Sequence, residues 1–210
     1  MQTSKTVYWR TRTVIEILRE GYPFFIMFGV YIIGILIGVI MFLRNDALSA
    51  FAADAFESFN SKRIDSTFIK VYFNALLSWL PFFAAVFVCG ISITGVAITP
   101  IVISFCGFLY GLITAHLYSS FSLNGILYAL IIMIPSALIG NFCLFFAGKH
   151  AFGFSLLLTR QVMPEPRAGN LFARLTRYCK QFVFLLLIAA FSALLEAVLS
   201  VSFIGKISIM

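Results

Sequence analysis

The sequence predicts an all-α, polytopic membrane helical bundle with about five transmembrane helices, and three observations carry that prediction. No Asp, Glu, Lys or Arg occurs from Val71 through Gly148, several times the roughly 20 residues that one helix needs to cross the hydrocarbon core. Charged residues make up 11% of the chain and mean hydropathy is +1.03; a soluble domain carries roughly a quarter charged residues. The apolar runs are continuous rather than alternating, which excludes a β-barrel and leaves helices as the structure that satisfies its own backbone in lipid.

The first span covers 24–43, entered through Tyr22-Pro23, since proline suits a helix start where its missing N–H has no intrahelical partner. It exceeds the apolar core of a signal peptide, which runs to about 15 residues, so it reads as an uncleaved anchor. Apolar runs place the second span at 68–91, the third at 97–118, the fourth at 125–147 and the fifth at 182–203. The chain thus divides into an N-terminal segment, 1–23, and one membrane domain, 24–210. That domain includes an amphipathic segment at 44–67 and a basic loop at 148–181.

Charge gives the topology. Residues 148–181 carry Lys149, Arg160, Arg167, Arg174, Arg177 and Lys180 against Glu165 alone, and the N-terminal segment carries Lys5, Arg10, Arg12 and Arg19 against Glu16 and Glu20. The positive-inside rule puts both in the cytoplasm. Segment 44–67 is then extracytoplasmic, the uncharged interval crosses three times, and the C-terminus lies outside. Basic loops beside spans account for the net charge of +7, so it does not point to nucleic acid.

Few residues carry chemistry. No P-loop, nucleophile elbow, HExxH or DxD is present, and Cys89, Cys106, Cys143 and Cys179 form no CxxC or Cys/His spacing. No catalytic, cofactor-binding or metal-binding residue is expected, and the reading is a protein that is not an enzyme. Glu196 is the one ionisable residue well inside a span. Insertion of a carboxylate there costs about 2.5–3.5 kcal/mol, so it must face protein or water, as a functional group or as a hydrogen-bonded tie between helices. Gly107 and Gly111 form a GxxxG that permits close helix approach, within the chain or between copies. Pro81 and Pro135 fall within spans and should kink them. In the 44–67 segment, Leu48, Phe51, Ala52, Ala55 and Phe59 share one helical face by spacing, with Asp46, Asp54 and Glu57 elsewhere. That face suits either the lipid surface or a partner, with Leu48, Phe51 and Phe59 as candidate docking residues. Arg174, Arg177 and Lys180 suit contact with anionic lipid.

A set of segments, in order, resembles the stage II sporulation protein M family over nearly the whole chain. They are Val88-Cys-Gly-Ile-Ser-Ile-Thr-Gly95, the pair Gly107 and Gly111, Ile134-Pro135, Ala151-Phe-Gly-Phe-Ser-Leu-Leu-Leu-Thr-Arg160-Gln161, and Ala189-Ala-Phe-Ser-Ala-Leu-Leu-Glu196-Ala-Val-Leu-Ser200. One departure is that Val201-Ser202-Phe203 follows the last segment, where the family often has proline. The resemblance implies a multi-pass protein of the bacterial cell membrane without enzymatic activity of its own. Its implied role is to recruit extracytoplasmic peptidoglycan-degrading enzymes during cell-wall remodelling such as spore engulfment. Partners would be membrane lipids and those hydrolases or other membrane-complex subunits. The alternative the family allows is a membrane component of an ABC-type transport system, which would need a separate ATPase subunit.

Overall fold

A computed structural model describes residues 3–64, 67–162 and 171–203, with side chains for 22–58, 67–122, 130–131, 133–159 and 171–202. The described residues form helices only: α1 (Thr3–Arg44), α2 (Asp46–Ile64), α3 (Phe68–Ile91), α4 (Gly95–Tyr128), α5 (Ile134–Val162) and α6 (Leu171–Phe203), with a π-helical turn at Ala129–Met133 before α5. Five of them are long and apolar enough to cross a membrane: Tyr22–Arg44, Phe68–Ile91, Gly95–Ser122, Ile134–Thr159 and Leu171–Ser202.

The helices extend past the apolar runs. α1 continues through Pro23 instead of starting there; the proline forgoes one backbone bond near the end of the apolar stretch, where water or headgroups can take the freed carbonyl. α5 and α6 likewise carry Lys149, Arg160, Arg174, Arg177 and Lys180 on helical turns, so most of 148–181 is helix, and 163–170, with Arg167, lies outside the described residues. Long basic side chains are good helix formers and their heads snorkel toward water, so charge marks the edge of the membrane without ending the helix.

Breaks in the helices fall where the backbone requires them. Asn45 separates α1 from α2, its side-chain oxygen accepting the Ala47 N–H at 3.0 Å as an N-cap. Ser122, at φ 50° and ψ −125°, puts a kink within α4; that conformation is strained for a residue with a Cβ. Pro135 is the second residue of α5, directly after the π-helical turn, so the irregularity precedes it and is not a kink in mid-span. The wider π turn removes the clash between a proline ring and the carbonyl four residues back. α3 runs unbroken through Pro81.

The core contains Met27, Tyr31, Trp79, Phe83, Ile103, Leu144 and Phe182. Large apolar side chains such as Phe25, Leu36, Phe73, Leu77, Phe184 and Leu187 point outward, the inside-out arrangement that a lipid solvent tolerates. α1 and α4 make the closest approach. A Cβ placed on Gly34 or Gly38 of α1 would overlap the carbonyl oxygens of Ser104 or Phe108 in α4, and one placed on Gly107 or Gly111 would overlap those of Tyr31 or Ile35 in α1. Two GxxxG motifs therefore face each other in one chain. Where hydrocarbon solvates helices as well as they solvate each other, such backbone contact supplies the packing energy.

Candidate functional site

α4 divides the bundle between two sites, because its glycine face meets α1 while Cys106, Leu109, Tyr110 and Ile113 look toward a cavity. That cavity, about 280 Å³, is closed by Ser78 and Trp79 of α3, Ser136 of α5 and Glu196 of α6. Glu196 is 6% exposed. It is held there by a run of small residues: Ala189, Ser192, Ala193, Glu196, Ala197 and Ser200 are all buried, at the helical spacing that puts them on one face of α6. Small side chains let α6 approach α5 closely enough for the Ser192 hydroxyl to donate to the Ser136 carbonyl at 2.6 Å. The indole of Trp79 lies where a Cβ on Gly140 would be, so a glycine in α5 makes room for the cavity wall.

Glu196 is the sole carboxylate lining the cavity, and no histidine, lysine or arginine lines it among the described residues. Around that carboxyl the lining holds the hydroxyls of Ser78, Tyr110 and Ser136, the Cys106 thiol and aromatic rings. Among the described residues no His, Cys, Asp and Glu cluster could hold a metal, and the four cysteines are free.

A second polar centre, at the opposite end of the bundle from α2, joins the segments on which the resemblance rests. Ser155, fully buried, donates to the carbonyls of Ser92 at 2.6 Å and Ile93 at 3.2 Å and accepts the Val96 N–H at 3.0 Å. One hydroxyl thus caps the end of α3 and the start of α4 together. A Cβ on Gly95 would overlap the Cys89 carbonyl, and one on Gly90 would overlap the Tyr178 hydroxyl and lie 2.9 Å from the Ala151 Cα. Tyr178 donates to the Phe87 carbonyl at 3.0 Å and stacks between the rings of Phe87 and Phe154. Ser155 and Tyr178 had no assigned role in the sequence; the signal for Ser155 was present, a serine inside an otherwise apolar helix in one of the quoted motifs.

The third surface is α2, which packs on α4, α1 and α3. Its buried residues are Ala52 and Phe56; of the others on the face read from spacing, Leu48 and Ala55 are half-buried and Phe51 is exposed. Phe56, 4% exposed, sits against the rings of His116 at 5.7 Å and Phe121 at 5.8 Å. Phe51 is 52% exposed, Leu48 is half-buried, and Asp46, Asp54 and Glu57 are exposed; the Phe59 side chain lies outside the described residues. No α2 residue lines the Glu196 cavity among the described residues, so the two candidates are separate sites.

No curated protein and no solved structure matches the chain. The profile of the family described as stage II sporulation protein M matches residues 26–201, a stretch that contains the Ser155 centre, both glycine pairs and Glu196. The chain is a multi-pass membrane protein belonging to the stage II sporulation protein M family.

Proposed function

We propose that the protein is a membrane scaffold that recruits extracytoplasmic peptidoglycan-degrading enzymes during cell-wall remodelling such as spore engulfment. The observation that carries this reading is α2. It does not count among the spanning helices, it is anchored to the bundle by Phe56, and it presents Phe51, Asp54 and Glu57 outward. An aromatic ring flanked by acids on a rigid support is the composition of a small protein-binding surface. The charge distribution puts this helix outside the cell, with the N-terminus cytoplasmic, where the enzymes that cut peptidoglycan work.

The test is co-purification. Phe51→Glu should abolish recovery of an extracytoplasmic peptidoglycan hydrolase while leaving the amount of this protein in the membrane unchanged. Unchanged recovery at normal abundance would reject α2 as the recruiting surface.

A second reading, a membrane component of an ABC-type transport system, draws on the cavity around Glu196, since a buried carboxylate beside a cavity also suits an ion or proton site. Neighbouring genes separate the two: peptidoglycan hydrolases favour the scaffold, an ATPase with a second permease favours transport.

A further inference from the structure

At the end of the bundle that carries the Ser92–Gly95 turn, α1, α5 and α6 enclose a surface groove of about 600 Å³. Its cationic lining comes from two helices, Lys149 on α5 and Arg174 and Arg177 on α6, with His150, Gln181 and Tyr178 beside them and Pro23 of α1 also lining it. Arg174 and Arg177 lie three residues apart and so share a face of α6, and Gln181 follows one turn later on the same side. No acidic side chain lines the groove among the described residues. The floor is open at Gly153, where an added Cβ would meet no heavy atom within 4 Å. Every other glycine of α5 lies against a neighbour.

These positive charges sit where the apolar stretches of α5 and α6 end, and the next turns of α6 toward the membrane expose Val183, Phe184 and Leu187. The groove thus offers cationic donors at headgroup depth and a bare apolar surface directly beside it. Guanidinium groups bind phosphate oxygens through two parallel hydrogen bonds, and basic pockets between membrane helices suit anionic headgroups. We propose that this groove is a discrete binding site for the phosphate headgroup of an anionic phospholipid, whose acyl chains run down the exposed face of α6. The site is independent of the recruiting role of α2, which lies at the other end of the bundle.

The full-length protein, purified in detergent, is titrated with phosphatidylglycerol, with phosphatidylcholine and with inorganic phosphate, and bound species are counted by native mass spectrometry. One phosphatidylglycerol should bind in preference to phosphatidylcholine, and inorganic phosphate should neither bind detectably nor displace it. Arg177→Gln and Lys149→Gln should each weaken that first binding event about fivefold, the effect of one basic residue near a phosphate. Lys180→Gln removes the same charge from the same helix but from outside the groove, and should leave the event unchanged. Gly153→Leu changes no charge and places a side chain in the open floor; it should weaken binding at least as much as Arg177→Gln, with the thermal midpoint of the protein unaltered. Equal losses for Lys180→Gln and Arg177→Gln would show diffuse surface attraction and overturn the site. So would unchanged binding in a folded Gly153→Leu protein, or equal affinity for phosphatidylcholine. Binding of inorganic phosphate alone would make it a site for free anion and overturn the lipid assignment.

Discussion

The Ser155 hydroxyl on α5 donates a 2.6 Å hydrogen bond to the Ser92 carbonyl at the end of α3. Those residues are 63 positions apart, and the same hydroxyl accepts the first free N–H of α4. In lipid, where water does not reach helix ends easily, this single side chain takes the place of solvent for two helices.

Ser155→Ala should therefore cost more than an ordinary serine. The Val96 N–H loses its partner, while the Ser92 carbonyl keeps only the Gly95 N–H and the Ile93 carbonyl only the weak Thr159 contact; a buried group left unsatisfied costs about 1–3 kcal/mol. We expect a lowered thermal midpoint and reduced abundance, read by size-exclusion chromatography of heated detergent extracts. Thr159→Ala removes only a 3.4 Å contact to Ile93 and a bond within its own helix, and should be close to neutral. Equal behaviour of the two variants would remove Ser155 as the cap.

The paired glycines predict a strict size limit. Gly34→Leu, Gly38→Leu, Gly107→Leu and Gly111→Leu each force a side chain into the backbone of the facing helix, at a cost of about 1–3 kcal/mol or more. Gly29→Leu, at a position where an added Cβ meets nothing within 4 Å, serves as the tolerated control on α1. Loss of folded protein at the four paired positions and not at Gly29 is the expected pattern. If the four variants fold normally and instead change the oligomeric state, the glycine faces pack between copies and not within the chain.

Glu196 separates binding by shape from binding by charge. Glu196→Gln keeps the size and hydrogen-bonding capacity of the side chain, so partner recruitment should remain near normal. Glu196→Leu deletes the polar group and should weaken packing by about 0.6–1.7 kcal/mol, the scale of interhelical hydrogen bonds in membranes. A protein in which Gln and Leu are equally inactive, at normal abundance and with normal partner binding, would point to a titrating carboxyl and hence to transport.

Topology follows from charge and is directly measurable. In a background without native cysteines, Glu57→Cys on α2 should react with an impermeant thiol reagent in intact cells. Arg174→Cys at the start of α6 should react only after permeabilisation. Both positions are exposed, so the difference reports side and not burial. The reverse pattern would place α2 in the cytoplasm and remove the basis for recruitment of extracytoplasmic enzymes.

Much of this architecture was legible in the sequence because lipid imposes it. The uncharged interval from Val71 to Gly148 required several spanning helices, and a lone carboxyl in the last span had to turn inward, as Glu196 does. What escaped were relationships between distant residues. Gly107 and Gly111 announced a close helix contact, but a GxxxG does not name its partner, and Gly34 and Gly38 in the first span passed as ordinary members of an apolar run. In α2 the spacing said nothing of Phe56, whose burial depends on His116 and Phe121 of α4, residues far away in the sequence. The extension of α5 and α6 beyond their apolar stretches was hidden because lysine and arginine edge a membrane span and still favour helix.

Recruitment through α2 is tested most directly by placing a photo-crosslinking amino acid at Phe51 and, for comparison, at Arg174, and irradiating living cells. The scaffold account predicts covalent adducts from position 51 that contain an extracytoplasmic peptidoglycan hydrolase, and none of that enzyme from position 174. Adducts with an ATPase from position 174, with no hydrolase captured at position 51, would contradict it.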